Sequence, residues 1–422
     1  MDKRIDKVKY DPFFERSLER LTEEINLLSS PKGYLYAGLP KFKALFGRDS
    51  LITGWELIDW KVDIALSSVH ELAKLQGRMT DNSTGEYPGK IPHEYYESDS
   101  DYWARRKEIS WLPRGPNYFS VDSTPLFVIL VSMLNTRVPE SLSDEIRRTV
   151  EKALEFIVQN SRNRKLLVYE KDDAAHGLRS QSWRDGIGDI LDELKYPVAT
   201  VGAQGYLYAS LQAGADLLSK SDDDTRNLRD SIMELKRRIP QQLEINFWTE
   251  DEAFYALAVD GLGMPETAVT SDPGHLIFSG ILSREREREV VDRLFESDML
   301  TDYGIRTLST HDKRFDPRAY QRGAIWPQDN WIIFYGLRMR GYGRESNEIR
   351  ERLLEAYDKM GKMPEYFGVD KEGMLISENK MIISPCYPQA WSTGAVINFL
   401  LDRAASGYKP EISEVIRNDF KT

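Results

Sequence analysis

The chain has 422 residues, a formal net charge of −11, and 41% hydrophobic and 11% aromatic residues. This acidic balance argues against nucleic acid as a partner, because phosphates attract surfaces rich in Lys and Arg. The single cysteine, Cys386, excludes a disulfide within the chain. The first residues lack the apolar stretch of a secretory signal. No apolar run approaches the roughly 18 residues that cross a bilayer, so we expect a cytoplasmic protein without membrane contact.

Helical periodicity runs through the whole sequence. Apolar residues recur at spacings of three and four from Phe14 to Leu28, from Ile146 to Ile157 and from Ile349 to Met360. Ser143–Asp144 and Asn347–Glu348 are the expected starts of the last two helices. Further helices are predicted near 49–60, 62–78, 123–136, 199–219, 224–242, 274–281, 286–297, 328–341 and 390–402. About twelve helices in total predict an all-α protein.

Strand signals are sparse. Leu166–Tyr169 and Ala253–Val259 are the better ones, and they predict short hairpins between helices. No Ser/Gly linker, low-complexity tract or obvious repeat divides the chain. We therefore predict a single domain over residues 1–422.

The connections between the predicted helices concentrate aromatic, acidic, Gly and Pro residues. Gly and Pro alone would only mark turns, but many of these segments also hold Trp, Tyr or Phe beside a carboxylate or an amide. This composition is typical of loops that carry function on a rigid scaffold. The segments are FGRD (46–49), PGKIPHE (88–94), NYFSVDSTP (117–125), SWRDGIGD (182–189), DPGH (272–275), YQRGAIWPQDN (320–330), MPEYF (363–367) and CYPQAW (386–391).

This combination of residues favours carbohydrate chemistry. Aromatic faces cover the C–H patches of sugars, while carboxylates, amides and Arg bind the hydroxyls. Glycoside cleavage then needs two carboxyl groups, one protonated and one ionised. The five histidines form no HExxH motif or close pair, so no metal site is predicted. The sequence also lacks a P-loop, a dinucleotide GxGxxG and a GxSxG, and no cofactor is predicted.

The ordered segments FGRDSLI, PGKIPHE, SVDSTPLF, SWRDGIGD, PGHLIFSGIL, GAIWPQDN and PEYF…CYPQAW resemble the amylo-α-1,6-glucosidase module of glycogen debranching enzymes. More broadly, they resemble the glucoamylase-like clan of (α/α)6 barrels, which includes mannosylglycerate and glucosylglycerate hydrolases. The resemblance extends from about Tyr34 to Leu401. It implies a barrel of six inner and six outer helices, a six-hairpin glycosidase fold, and an inverting hydrolase that cleaves an α-glycosidic bond.

The resemblance also implies residue roles. Asp185, in Trp-x-Asp-x-x-Gly, matches the general acid, and Glu365, in Pro-Glu-aromatic, matches the general base. Arg48 and Asp49 match residues that hold the innermost sugar. Further substrate-binding candidates in these segments or near them are Tyr36, Tyr118, Asp122, Trp183, Gln204, Trp326, Asp329, Gln389 and Trp391.

Each catalytic assignment has a rival. Asp185 could instead cap a helix that starts at Gly186, with Asp189 and Asp172–Asp173 as nearby competitors for the acid. Glu372 and Glu378 compete with Glu365 for the base. Arg48–Asp49 could form a structural ion pair, and Asp49 could cap the following helix. His93–Glu94 is interpreted as packing, and Trp326 and Trp391 could be core aromatics.

The substrate stays open at this point. Only about 33 residues precede the first motif, so the sequence has no room for the further domains of a complete debranching enzyme. Compact hydrolases of small glycosides such as mannosylglycerate are an alternative. For an anionic aglycone, Lys41, Lys43, Arg184 and Arg322 could supply a cationic pocket wall. A non-catalytic carbohydrate-binding protein on the same scaffold is a second alternative. The sequence does not indicate the oligomeric state.

Overall fold

The computed structural model describes residues 12–171, 176–218 and 225–405. Within these ranges the chain forms twelve α-helices. Their bounds are α1 Pro12–Leu28, α2 Gly47–Glu56, α3 Val62–Lys74, α4 Asp99–Glu108, α5 Ser123–Arg137, α6 Asp144–Ser161, α7 Val201–Leu218, α8 Arg226–Phe247, α9 Arg284–Leu294, α10 Pro327–Arg340, α11 Gly343–Met360 and α12 Ala390–Ala404.

Six of the described helical elements form a closed inner ring. Helix α2 packs on α5, α5 on α7, and α7 on a 3-10 helix at Asp272–Ser279; that helix packs on α10, α10 on α12, and α12 again on α2. Helices α1, α3, α6, α8, α9 and α11 lie outside this ring and pack against its members. The structure is therefore the predicted all-α fold, an (α/α)6 barrel.

The two rings differ in how their sequences bury side chains. Every residue of α2 and of the 3-10 helix is buried, because these elements have neighbours on all sides. Outer helices bury a single stripe, as the 3.6-residue periodicity predicts. Close packing within the ring depends on small residues. A Cβ at Gly205 of α7 would lie 2.4 Å from the carbonyl oxygen of His275, so glycine permits the contact between α7 and the 3-10 helix.

Short antiparallel strands of two residues each connect the helices. The prediction of small hairpins is confirmed, although Leu166–Tyr169 contributes only an isolated bridge from Tyr169 to Val198. Ala253–Val259 divides between β5 and β6. The strand pairs are β1 Leu45–Phe46 with β2 Glu94–Tyr95, β3 Ala199–Thr200 with β6 Ala258–Val259, β6 with β7 Pro265–Glu266, β4 Trp248–Thr249 with β5 Phe254–Tyr255, and β8 Leu300–Thr301 with β9 Gly304–Ile305.

Several predicted helix boundaries differ from the structure. Ser143 caps α6 as expected, since its side chain accepts a hydrogen bond from the backbone N–H of Ile146 at 3.3 Å. The start predicted at Asn347–Glu348 is wrong, because α11 begins at Gly343. The charged sequence of α4, which buries only Tyr102, gave no periodic signal. In the described part of the chain, no helix combines the length and apolar character needed to cross a membrane.

Candidate active site

A pocket of about 250 Å³ opens where several ring helices begin. Arg48 and Asp49 lie in the first turn of α2, Trp326 directly precedes α10, and Trp391 lies in the first turn of α12. The long connection between α6 and α7 supplies another wall. The predicted site residues that line this pocket are Arg48, Asp49, Trp183, Asp185, Trp326, Glu365 and Trp391. Segments distant in sequence therefore meet at one site.

Asp185 lies at the edge of this pocket, with 23% of its side chain exposed. Its Oδ2 accepts a hydrogen bond from Arg48 Nη1 at 3.0 Å. Burial raises the pKa of Asp185, while the positive charge of Arg48 lowers it. The rival helix-cap role is wrong, because the next helical element is a 3-10 helix at Ile190–Glu193 that Asp189 caps. Asp172–Asp173 lie outside the described residues.

Arg48 joins two acidic residues. Its Nε donates to Asp122 Oδ2 at 2.8 Å, while Nη1 holds Asp185. Asp122 is almost fully buried behind the pocket wall and accepts a second hydrogen bond, from Ser120 Oγ at 2.7 Å. Asp122 therefore fixes the guanidinium and does not line the pocket itself. The Arg48 guanidinium in turn fixes the orientation of the Asp185 carboxyl group.

Glu365 forms a buried acidic wall of the pocket and is 2% exposed. Its Oε1 accepts a hydrogen bond from Tyr320 Oη at 2.5 Å, and its Oε2 accepts one from the Cys386 backbone N–H at 2.9 Å. Burial raises the pKa of Glu365 to about 7 against the opposing effect of these two donors. The rivals Glu372 and Glu378 are exposed and lie outside the pocket lining.

Asp49 lies beside the two candidate catalytic residues. Burial raises the pKa of Asp49 to about 8, and Arg48 lowers it. The carboxyl group faces Gln389, whose Nε2 lies 3.5 Å from Asp49 Oδ1. The predicted N-cap role of Asp49 is wrong, since α2 already begins at Gly47. Gln389 is buried directly before α12 and reaches the site through Asp49, without lining the pocket.

A buried ionic cluster anchors the loop that carries Asp185. Arg184 is fully buried, with Nη2 3.0 Å from Asp189 Oδ2 and Nη1 3.2 Å from Asp272 Oδ2. Trp183 Nε1 donates to the other oxygen of Asp272 at 2.8 Å. The prediction of Arg184 as a cationic pocket wall is therefore wrong. The two aspartates neutralise its charge inside the protein, and Arg184 ties the loop to the 3-10 helix at Asp272–Ser279.

Two other polar candidates are buried away from the pocket. Both ends of the Gln204 amide bind the backbone of Leu167, each at 2.9 Å, so this side chain holds the connection after α6 in place. Asp329 accepts a hydrogen bond from His275 Nε2 at 2.8 Å, and both residues are fully buried. Neither Gln204 nor Asp329 lines the pocket. Their contacts explain a structural role.

The tyrosine candidates also lie outside the pocket lining. Tyr118 is buried, and its hydroxyl donates to the carbonyl oxygen of Leu75 at 2.7 Å. Tyr36 packs edge-on against Tyr34, with ring centroids 5.8 Å apart. Both residues lie in connections between helices, but their side chains make packing contacts that spacing in the sequence does not reveal.

The structure adds residues that were not assigned to the site. Tyr320 binds Glu365, and His93 and Glu94 line the pocket. His93 Nε2 lies 4.0 Å from Asp185 Oδ2, and burial holds the His93 pKa well below its ordinary value. The interpretation of His93–Glu94 as packing is thus incomplete. The sequence indicates the segments PGKIPHE and YQRGAIWPQDN, but it does not indicate which of their residues reach the pocket.

Of the four residues predicted to form a cationic pocket wall, one, Lys41, lines the pocket. The Lys41 amine bonds to the carbonyl oxygen of Ser384 at 3.2 Å. Lys43 instead faces Asp101 at 3.6 Å, and Arg322 lies in a neighbouring surface groove. Within the described ranges, no group of three or more His, Cys, Asp or Glu side chains could hold a metal ion.

Comparison with known proteins identifies a family. The family model described as the mannosylglycerate hydrolase MGH1-like glycoside hydrolase domain matches residues 144–378, more than half of the chain. Two curated proteins from Selaginella moellendorffii, mannosylglycerate hydrolases MGH1 and MGH2, are each 30% identical over 91 residues. This match covers 22% of the chain and spans only 18% of the length of either relative.

Solved structures share the fold. The GH63 mannosylglycerate hydrolase from Thermus thermophilus, in complex with Tris and D-glycerate, has a TM-score of 0.66 at 16% identity, covering 93% of this chain and 100% of that chain. A structure described as a wild-type glycosidase has a TM-score of 0.62 at 13% identity, covering 96% of this chain and 99% of that chain. At these identities the likeness supports the barrel architecture.

Proposed function

The chain belongs to the mannosylglycerate hydrolase MGH1-like glycoside hydrolase family, and we propose that it hydrolyses small α-glycosides with inversion at the anomeric carbon. Asp185 is the proposed general acid and Glu365 the proposed general base. The observation that carries this proposal is the pairing of two carboxyl groups in one pocket with different surroundings. One is held by a guanidinium at the edge, and the other accepts two hydrogen bonds at the buried wall.

The proposed mechanism follows from these surroundings. Asp185, whose pKa is raised by burial, holds a proton that it donates to the glycosidic oxygen. Glu365 accepts the proton of a water molecule that attacks the anomeric carbon from the other face of the ring. The donors Tyr320 and Cys386 occupy both oxygens of Glu365 and stabilise its ionised form, which a base requires. Inversion requires the two carboxyl groups to flank the sugar about 6.5–9.5 Å apart, which leaves room for the attacking water.

Asp49 and Arg48 are the proposed contacts of the innermost sugar. Asp49 lies in the first turn of α2, where its carboxyl group can accept from sugar hydroxyls while Gln389 holds it. Trp326 and Trp391 line the pocket as an edge-to-face pair with ring centroids 5.8 Å apart, although both are also packed in the core. A pocket of about 250 Å³ lies near the lower end of ligand sites, which usually measure about 300–1,000 Å³. These dimensions favour a small glycoside.

Lys41 indicates an anionic aglycone. Among the described residues that line the pocket, Arg48 and Arg105 are paired with carboxylates, whereas the Lys41 amine donates to the backbone carbonyl oxygen of Ser384. A cation with free hydrogen-bonding capacity suits a carboxylate on the leaving group. We therefore propose glycosides of glycerate, such as mannosylglycerate or glucosylglycerate, as the substrate class.

The experiment that tests the function follows the anomer released from a substrate panel by proton NMR. The panel contains maltose, isomaltose, trehalose, glycogen, mannosylglycerate and glucosylglycerate. We expect a glycerate glycoside to be hydrolysed fastest and the β-anomer of the sugar to appear first. Initial release of the α-anomer would contradict inversion, and binding without hydrolysis would indicate a carbohydrate-binding protein. Preference for glycogen or maltose would overturn the proposed substrate class.

Variants test the residue assignments. Asp185→Asn and Glu365→Gln should each lose most of the activity while keeping the unfolding temperature close to that of the parent. Glu372→Gln is the matched control, because Glu372 is exposed and lies outside the pocket lining, and it should keep full activity. Loss of activity in Glu372→Gln but not in Glu365→Gln would reverse the assignment of the base.

We further propose that the whole chain acts as one catalytic domain. Helices α2 and α12, near opposite ends of the described sequence, pack against each other in the same ring. Thermal unfolding should show a single transition, and limited proteolysis should release no folded fragment. Two separate unfolding transitions would contradict this proposal.

A further inference from the structure

A second cavity, of about 550 Å³, lies beside the C-terminal end of α6. Its walls come from the loop before β2, the segment before α5, the end of α6 and the start of the following connection. Among the described residues, none lines both this cavity and the candidate active site. Its lining includes the rings of Tyr87, Phe119 and Phe156, the apolar Val168, and the ionisable residues Lys90, Glu170, Lys171 and His176.

Lys90 is the feature that ordinary packing does not explain. Its side chain lines the cavity, yet the residue is only 7% exposed. The amine donates to the carbonyl oxygen of Gly85 at 3.3 Å and lies 5.8 Å from the ring centroids of Tyr87 and Phe156. Within the described ranges, no carboxylate forms an ion pair with it. Burial lowers the pKa of Lys90 to about 7.

Two other buried cations of the barrel show the contrast, whereas the buried Arg306 bonds to the backbone carbonyl oxygens of Val369 and Asp370. Arg48 and Arg184, which are also buried, each contact two carboxylates. Removing an ion from water is costly unless a counter-charge compensates it. Among the described residues Lys90 has no such counter-charge, so an anion in the cavity would stabilise its protonated form.

The backbone is shaped to hold Lys90 in this position. Gly89 directly before it has a φ of +87°, a conformation that glycine adopts readily. A Cβ at Gly89 would lie 2.0 Å from the carbonyl oxygen of Lys152, so only glycine lets this loop lie against α6. The loop thus lies alongside α6 and carries the lysine side chain into the cavity.

We propose that this cavity is a binding site for a small organic monocarboxylate, separate from the catalytic pocket, with Lys90 as its counter-ion. Lys90 is the buried cation of this cavity, whereas the Lys171 amine at the rim donates to the carbonyl oxygen of Gly177 at 3.1 Å. A single buried ammonium matches the single negative charge of a monocarboxylate. The rings of Tyr87 and Phe156 provide an apolar surface for the body of the ligand. Bound carboxylate also stabilises the protonated amine, so the pKa of Lys90 rises on binding.

The test uses the full chain labelled with carbon-13 at the lysine ε position. The Lys90 signal, assigned from its loss in Lys90→Met, is titrated with pH in the presence of benzoate or D-gluconate. Benzamide and D-glucitol are the matched neutral probes, and inorganic phosphate is the anion control. We expect the two carboxylates to raise the Lys90 pKa by at least one pH unit, and the neutral probes and phosphate to leave it unchanged.

Calorimetry on variants separates this site from the catalytic pocket. Lys90→Met should weaken carboxylate binding at least tenfold, and Lys90→Gln should do the same with a polar side chain of similar length. Lys171→Met is the matched control, because Lys171 lies at the rim of the same cavity, and it should bind as the parent does. Lys41→Met tests whether the carboxylate binds in the catalytic pocket instead, and it should bind the carboxylate as the parent does.

Three results would overturn the proposal. They are an unchanged Lys90 pKa with saturating carboxylate, carboxylate binding that survives both Lys90 variants, and binding that is lost only in Lys41→Met. None of these measurements uses glycoside hydrolysis, so the site can fail while the proposed catalytic function stands.

Discussion

Replacing Tyr320 with Phe should move the acid limb of the pH–activity profile. The Tyr320 hydroxyl donates to Glu365 Oε1 at 2.5 Å, and this contact lowers the Glu365 pKa against the effect of burial. A hydrogen bond to a charged group contributes about 1.5–3 kcal/mol. One pKa unit corresponds to about 1.36 kcal/mol, so loss of the hydroxyl should raise the Glu365 pKa, which is about 7 in the parent, by about one to two units.

The sign follows from the role of the base. Glu365 must be ionised to accept a proton from water, so kcat/KM falls as the pH drops below the Glu365 pKa. In Tyr320→Phe this fall should begin at higher pH, which gives a loss of about 10- to 100-fold at pH 5–6 and a small loss above pH 9. The assay is kcat/KM for the preferred glycoside, measured from pH 4.5 to 9.5.

Tyr366→Phe is the matched control for this measurement. Tyr366 stacks on Trp326, but its hydroxyl bonds to the carbonyl oxygen of Ile383 instead of Glu365. The acid limb of the pH–activity profile of Tyr366→Phe should stay where it is in the parent. An equal loss at every pH in Tyr320→Phe, or an equal shift in both variants, would refute the argument that Tyr320 sets the Glu365 pKa.

Three further predictions concern Asp185, Arg184 and Asp49. Asp185→Asn should lower kcat by about 10²- to 10⁴-fold on a natural glycoside but much less on a dinitrophenyl glycoside, whose leaving group needs no proton; equal losses on both would contradict the acid role. Arg184→Met leaves Asp189 and Asp272 buried without their cation, and urea denaturation should show a loss of about 3–5 kcal/mol; a loss below about 1 kcal/mol would exclude an anchoring role. Because the Asp49 pKa is raised to about 8 in the folded chain, the native state holds this proton where the unfolded chain has released it. The free energy of unfolding therefore falls as pH rises from about 4 to about 8; Asp49→Asn should flatten this fall, and an unchanged slope would contradict it.

The sequence was sufficient to predict the barrel, because each outer helix carries a clear apolar stripe and the ordered loop motifs indicate a known clan. The fourth inner element shows the limit of that approach. Asp272–Ser279 is a 3-10 helix of eight residues, too short for periodicity to distinguish it from an α-helix. Its position depends on the close approach of Gly205, which no local pattern encodes.

The sequence indicates which segments form the site better than it indicates which of their side chains face the pocket. Asp185 and Glu365 were identified with their motifs, and the structure brings both into one pocket. Arg184 belongs to the same segment as Asp185, and Gln204 lies in the first turn of α7, but tertiary contacts turn both side chains into the interior. Which residue of a motif faces the pocket depends on partners far away in the chain, such as Asp272 for Arg184, and spacing in one segment carries no information on them.

The contact between α2 and α12 has a consequence for synthesis of the chain. All ten residues of α2 are buried, and part of their cover is supplied by α12, which begins only at Ala390. A ribosome that has made three quarters of the chain has therefore produced a helix whose last neighbour does not yet exist. The apolar surface of α2 therefore stays partly uncovered until α12 has been synthesised. Contacts so distant in sequence form slowly, which exposes this surface to aggregation during folding.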